Sequence, residues 1–275
     1  MADISELFKS VALPVMPEVG LALIATLDDE DASVSKIQGL IAHDPVLTAK
    51  LLALANSAAF GLPRKVASLD TAMSLVGLSK LRALALSACL HNAFSVPDGI
   101  DAAMFWRYSM DCAGYAQWLC GGLNEGLAVD RQKAWLGGLM LRLGELIIGQ
   151  AVPAAMQDIE AQPSQPGERW EREKKLAGFD EGEVTAELAR RWNFPRDVVH
   201  ALLLASDPLI EKPMTPLAGV LHLAGRLADV ADADATAIDN LPVPVMAALA
   251  LKYGWMKADF PEAGSFVDIG ALTAK

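Results

Sequence analysis

His43 and Asp44 are adjacent, and an imidazole beside a carboxylate is a donor pair for a divalent metal when both side chains project from one helix. The residue that follows, Pro45, points to another use. Proline tolerates the first helical turn, where no N–H is needed, and an aspartate just before it can accept from the first free backbone N–H groups. Asp44 is therefore expected to cap a helix beginning at Pro45, and His43 to end the segment before it. Asn56 and Ser57 arrive in the last turn of that helix, where an amide and a hydroxyl can satisfy the final carbonyls or a neighbouring loop before Gly61 turns the chain. Asp44, Pro45, Asn56 and Ser57 are candidate ligand- or partner-binding residues, although caps and buried polar groups give the same pattern. Arg142 and Glu145 stand three apart, where they can pair with each other on a helix surface.

Other chemistry finds less support. His91, His200 and His222 are too far apart for a helix-borne i, i+4 metal pair and read as core or rim residues. No segment resembles a nucleophile turn or a glycine-rich phosphate loop. Cys89, Cys112 and Cys120 are odd in number and lack metal-type spacing, which fits a reducing cytoplasm and three small core side chains. No metal or cofactor is expected. Hydrophobic residues make up 53% of the 275, yet no run reaches the roughly 18 apolar residues of a membrane span. The N-terminus is acidic and lacks the pattern of a signal peptide, so the expectation is a cytoplasmic protein. A net charge of −11 opposes attraction to phosphate backbones, so neither nucleic acid nor membrane is an expected partner.

The elements that must position these residues read as helices throughout. Ile4, Leu7, Phe8 and Val11 recur at helical spacing, Pro14 and Pro17 break that segment, and Val19, Leu23, Ile24 and Leu27 carry the next, before an acidic turn at Asp28 to Asp31. Ser33 caps a third helix. The one from Pro45 is apolar almost all round and is expected to lie inside as a central strut. Ser68 caps a helix stopped by Gly77, and Ser79 is expected to cap the next, to about Phe94. That pair has a helix-turn-helix outline, but its second helix offers Lys80 and Arg82 among apolar residues and suits packing better than a DNA groove. Asp101 caps a helix through Cys120, and Asp130 opens one carrying Trp135 to Ile147. Ala161 to Gly167 is a loop and a candidate hinge, and the charge-rich stretch Glu168 to Lys175 reads as a solvated helix face. Asp180 and Glu183 form a capping box. Thr215-Pro216 caps and starts a further helix, and Pro242 and Pro244 precede a last one through Tyr253; the tail after Gly264 is weakly specified. About a dozen helical segments and no alternating strand pattern make the fold class all-α.

Several separate stretches resemble the HDOD family, bacterial output modules that share a fold with the His-Asp (HD, HD-GYP) metal phosphohydrolases. Leu13-Pro14-Val15-Met16-Pro17, the run from Ile41 to Thr48, Asn56 to Gly61 and Ser68 to Gly77 carry the match. Trp106 with Ser109, Gly138-Leu139, Gly144 and Trp192 to Pro195 continue it. The resemblance covers residues 13–208, implies a multi-helix HD-like bundle, and leaves 209–275 as a C-terminal helical extension packed on it. It also implies that Leu141 and Arg142 stand where catalytic relatives carry their His-Asp pair. Leucine offers no lone pair, and arginine brings a positive charge to the metal's place. The relatives' later histidines would fall near Glu181 and near Ala205-Ser206, and a closing aspartate near Gly225, so Glu181 alone could ligate.

The resemblance thus implies a non-enzymatic signal-transduction module that acts through a protein partner in a signalling pathway or a small nucleotide effector. Two alternatives remain open. One is a phosphohydrolase with a non-standard metal site, in which Glu181 converges with His200, His222 or another carboxylate. The other is a sensor that binds a nucleotide or anion in the inherited cleft through Arg142.

Overall fold

A computed structural model describes residues 3–27, 29, 33–56, 65–162, 165–262 and 266. Ser57 and the rest of the signature to Gly61, Asp28, Glu30 and Asp31 of the acidic turn, Pro163-Ser164 of the loop, and the tail after Gly264 apart from Phe266 lie outside them. Among the described residues the chain is all-α, with sixteen α-helices and no strand. No single described helix is long and apolar enough to cross a membrane. The helices fall into two compact units.

One unit is built from Pro14–Ser95 with Trp192–Pro195. It contains α2 (Glu18–Ile24), α3 (Val34–Ala42), α4 (Pro45–Ala55), α5 (Leu69–Val76) and α6 (Leu78–Ala93). Its hub is α6, which packs against each of α2, α3, α4 and α5 and buries Leu81, Leu84 to Leu86 and Ala88 to Leu90. The central place expected for α4 therefore belongs to α6. Among the described side chains of α4, Leu47, Leu51 and Ala55 form a buried stripe while Val46 is 64% exposed, so these pack by one face despite the helix's composition. Ser33 caps α3 and Ser68 caps α5 as expected. Ser79 does not cap α6. Gly77, at φ 91°, both ends α5 and precedes the first residue of α6, so one left-handed glycine makes the whole corner.

The other unit is built from Val96–Arg191 and Arg196–Phe266 with the N-terminal stretch to Leu13. Besides α1 (Ile4–Lys9), it holds α7 (Ala102–Leu119), α8 (Arg131–Met140), α9 (Leu143–Ala151), α10 (Pro153–Glu160) and α11 (Glu168–Ala177). It continues through α12 (Glu181–Arg191), α13 (Arg196–Leu203), α14 (Pro216–Ala228), α15 (Val243–Ala248) and α16 (Tyr253–Ala258). Two helices thus follow Pro242, where the sequence suggested one, and α14 starts at Pro216 as expected but without a side-chain cap from Thr215. Helices α7, α8 and α14 pack together at the centre. Gly138 is required there, because a Cβ would lie 2.6 Å from the Cys112 carbonyl oxygen.

The stretch read as one helix from Asp130 to Ile147 is broken. Asp130 caps α8 through its Oδ1, and the chain then kinks at Leu141-Arg142 before α9. Arg142 sits at φ −91°, ψ 2°, in the sparsely populated bridge region. The buried Thr185 of α12 holds the kink, donating from Oγ1 to the Leu141 carbonyl at 3.1 Å and accepting from the Gly144 N–H at 2.7 Å. This side-chain bridge replaces backbone bonds that a continuous helix would make, and it turns Arg142 inward.

Candidate functional site

Arg142 is the centre of a buried ion cluster, not half of a surface pair with Glu145. Its side chain is 12% exposed, and its Nε donates to Glu181 Oε2 at 3.0 Å. One terminal nitrogen donates to Asp229 Oδ1 at 2.7 Å, and Glu145 Oε2 lies 3.6 Å from Nε. The guanidinium carbon stands 3.2 Å from the ring centroid of Tyr108 on α7, a desolvated cation–π contact. At the tip of that ring, Tyr108 Oη is buried without a hydrogen-bond partner.

A second arginine extends the cluster. Arg169 pairs with Glu173 at 2.9 Å, Glu160 at 2.7 Å, Glu145 at 3.3 Å and Glu181 at 3.6 Å. Helix α11 keeps a solvated face at Glu168, Glu171, Lys174 and Lys175, as its charges suggested, but its other face is not solvated: Glu173 is fully buried and Trp170 nearly so. Trp170 Nε1 donates to Glu181 Oε1 at 3.0 Å, and the Glu181 backbone N–H donates to Glu173 Oε2 at 2.7 Å. Asp229 Oδ2 accepts from Gly167 N at 2.9 Å, tying the far end of the 161–167 loop to the residue that ends α14. Asp180 and Glu183 complete the expected capping box at the start of α12, each accepting from the other's backbone N–H.

Burial and charge set the protonation. Burial raises the Glu145 carboxyl to about 7, with Arg169 and Arg142 pulling it back and Glu181 and Glu160 adding to the rise. Burial also raises Glu173 and Glu181, each against the pull of Arg169. Burial opposes the charge on Arg142, but Glu181, Tyr108, Asp229 and Glu145 outweigh it and hold the guanidinium protonated. His222 lies tilted against Trp170, ring centroids 5.1 Å apart, and burial lowers its pKa to about 4 despite the contact of its Nδ1 with the Ala205 carbonyl at 2.7 Å. A cavity of about 160 Å³ opens beside the cluster, lined by Arg107, Arg142 and Arg169 and by Asp101, Glu145, Glu160 and Asp229 among others.

These residues do not fit a divalent metal. The carboxylates that converge, Glu181, Asp229 and Glu145, have a guanidinium between them, and His222 spends Nδ1 on a backbone carbonyl. His200 lies half-exposed against Glu211 at 2.9 Å. Among the described residues no group of three or more His, Cys, Asp or Glu side chains is placed to hold a metal. Glu181, the one position that the resemblance leaves able to ligate, accepts from Arg142 on one oxygen and from Trp170 on the other.

The other candidate residues lie in the α2–α6 unit. Asp44 Oδ1 accepts from Val46 N and Leu47 N, both at 2.9 Å, capping α4 at Pro45. His43 ends α3, its Nδ1 against the Gly39 carbonyl at 2.5 Å. The Asn56 amide donates to the carbonyls of Leu52 and Val66 at 2.7 and 2.8 Å and accepts from Val66 N at 2.7 Å, so it fastens the end of α4 to the segment before α5. Ser57 lies outside the described residues. The residues that sequence reasoning passed over are Tyr108, Glu160, Arg169, Trp170, Glu173 and Asp229. One signal was available: Arg169 and Glu173 stand four apart and flank Trp170, a large apolar ring in an otherwise charged helix.

The HDOD domain model matches residues 13–208. An uncharacterised protein of Treponema pallidum is 26% identical over 225 residues, which is 79% of this chain but 43% of that protein. The chain therefore spans less than half the length of this curated relative. A crystal structure from Shewanella amazonensis named "Putative phosphohydrolase" is 26% identical, covers 93% of this chain and 91% of its own, and superposes with a TM-score of 0.72. One from Marinobacter aquaeolei named "Putative signal transduction protein" has a TM-score of 0.76 at 23% identity, covering 90% of this chain and 56% of its own. The second likeness is one of fold.

Proposed function

The chain belongs to the HDOD family, and from that premise we propose that it is a regulatory module of signal transduction which binds a protein partner and hydrolyses no phosphate ester. The observation that supports this reading is the Arg142 guanidinium between Glu181 and Asp229, at 3.0 and 2.7 Å. A metal clamp must offset the two charges of a dication with several ligands and keep an open position for water or substrate. Here an arginine supplies the positive charge, carries no open coordination site and cannot deprotonate to yield one. What the cluster does instead is join α9, α10, α11, α12 and the end of α14 into one body whose surface a partner could read. In this reading residues 13–208 carry the family's sequence, α14 beyond them completes the core with α7 and α8, and Asp44, Pro45, Asn56 and Ser57 belong to the partner-facing signature.

Hydrolysis assays on cyclic dinucleotides and on a generic phosphodiester, with added manganese or iron, test the proposal. No turnover is expected. Turnover that disappears in Glu181→Gln would mean that the carboxylates act on a metal and that the chain is an enzyme. An anion sensor is the second reading, favoured by the three guanidiniums lining the cavity. Against it, each guanidinium has a carboxylate partner, and about 160 Å³ is small beside the roughly 300–1,000 Å³ of typical small-molecule sites. Saturable binding of a cyclic dinucleotide or inorganic phosphate in calorimetry would favour that reading.

A further inference from the structure

The ion cluster has more acids than bases. Glu145, Glu160, Glu173, Glu181 and Asp229 meet Arg142 and Arg169 through contacts of 2.7 to 3.6 Å. If all ionised, five carboxylates against two guanidiniums would leave three negative charges in largely buried surroundings. Buried carboxylates escape that cost by keeping their protons. Of the three carboxyls that burial raises, Glu145, Glu173 and Glu181, only Glu145 lines the cavity, and it comes no closer than 3.3 Å to either arginine, so it is the one placed to exchange its proton with solvent. Glu173 and Glu181 are fully buried and closely bonded, to each other through a backbone N–H and to Arg169, Arg142 and Trp170.

The groups facing Glu145 come from every side. Arg142 precedes its own helix; Glu160 comes from α10, Arg169 and Glu173 from α11, Glu181 from α12, and Asp229 from the end of α14. On the α7 side Asp101 and Arg107 line the same cavity, Arg107 being paired with Asp111. Helix α1 also packs on α9, but its Lys9 and Glu6 pair with each other at exposed positions. Carboxylates outnumber guanidiniums around Glu145.

We infer that the cluster is a proton-controlled latch: Glu145 is protonated in the closed fold, and losing that proton as pH rises weakens the hold of α10 and α11 on α9, α12 and Asp229. The reasoning is linkage. A carboxyl whose burial lifts its pKa stabilises the closed fold fully below its unfolded value, and that stability is lost as pH rises through the folded one, here from about 4.5 to about 7. Any state in which the cavity wall opens and hydrates Glu145 returns it to an ordinary carboxyl, so rising pH favours opening. Glu160 and Arg169 are the wall residues carried by α10 and α11, which makes that segment the one to yield.

The test compares the full-length wild type with Glu145→Gln by denaturant unfolding between pH 6 and 8, and by amide exchange over α11 corrected for intrinsic rates. Relative to E145Q, the wild-type unfolding constant should rise about tenfold over this interval, with exchange in α11 quickening in parallel. His222 and His91, whose depressed pKa values act in the opposite direction, are common to both proteins and cancel. Glu160→Gln removes one facing negative charge and should move the wild-type transition to lower pH. Superimposable profiles for wild type and E145Q would overturn the latch. Should E145Q fail to fold, superimposable profiles for wild type and E160Q would overturn it.

Discussion

Arg142→Ala is expected to destabilise the chain by about 3–5 kcal/mol at neutral pH, the range for removing one partner of a buried ion pair. The loss is large because of what stays behind. Glu181 is fully buried, Glu145 nearly so, and Asp229 is largely covered, so deleting the guanidinium leaves three acids facing one another with Arg169 as the remaining strong cation in their midst. The Tyr108 ring also loses the cation on its face. Arg142→Lys keeps the charge but not the planar fork that reaches Glu181 and Asp229 together, so an intermediate loss is expected. The sign of the pH dependence is fixed: acid protonates the orphaned carboxylates, so the deficit of R142A should shrink as pH falls. Denaturant unfolding at pH 5 and pH 7.5 checks both statements. A deficit below about 1 kcal/mol at pH 7.5, inside the range of exposed ion pairs, would mean that the cluster is wetter than its burial indicates.

The second large effect is steric. A methyl group at Gly144 would run into the backbone carbonyl of Glu181 and come within 2.9 Å of Val184 Cβ, so α9 and α12 could not keep their approach. Gly144→Ala should cost about 3 kcal/mol, toward the upper end of overpacking penalties, because the obstacle is backbone and cannot rotate away. It should also disturb the Thr185 bridge that forms the kink, since Gly144 N is one of its two partners. A fall in Tm of about 6–12 °C is the expected reading. Gly39→Ala is the control: nothing lies within 4 Å of a Cβ there, and inside α3 alanine should be neutral or stabilising by about 0.5–1 kcal/mol. Equal Tm values for G144A and the wild type would contradict the close approach.

Local rules carried far in this sequence. Asp44, Ser33, Ser68, Asp101, Asp130 and the Asp180–Glu183 box all cap the helices their positions suggest, because capping depends on neighbours two or three residues away. The all-α class was equally legible. What the sequence concealed depends on partners distant along the chain. The kink at Leu141-Arg142 needs Thr185, some forty residues on, and without it the apolar run from Trp135 to Ile147 reads as one helix. The burial of Arg169 and Glu173 needs Glu145, Glu160 and Glu181 around them, and a window confined to α11 sees only charge. Helix α4 misled in the opposite direction. Its residues are apolar on every side, yet one stripe is buried, because composition reports what a face tolerates and packing decides which face is used. At the candidate site, Arg142 was recognisable in advance while its carboxylate partners, apart from Glu145 and Glu181, were not.

We propose that the Arg142 guanidinium takes the carboxylates Glu181 and Asp229 that a metal would otherwise need, and metal content tests this reading most directly. Full-length protein from cells supplied with manganese and iron, purified without chelator, should contain neither metal in stoichiometric amount by elemental analysis. Stoichiometric manganese or iron that is lost in Asp229→Asn or Glu181→Gln would contradict the claim, because those carboxylates would then be ligands and Arg142 their neighbour.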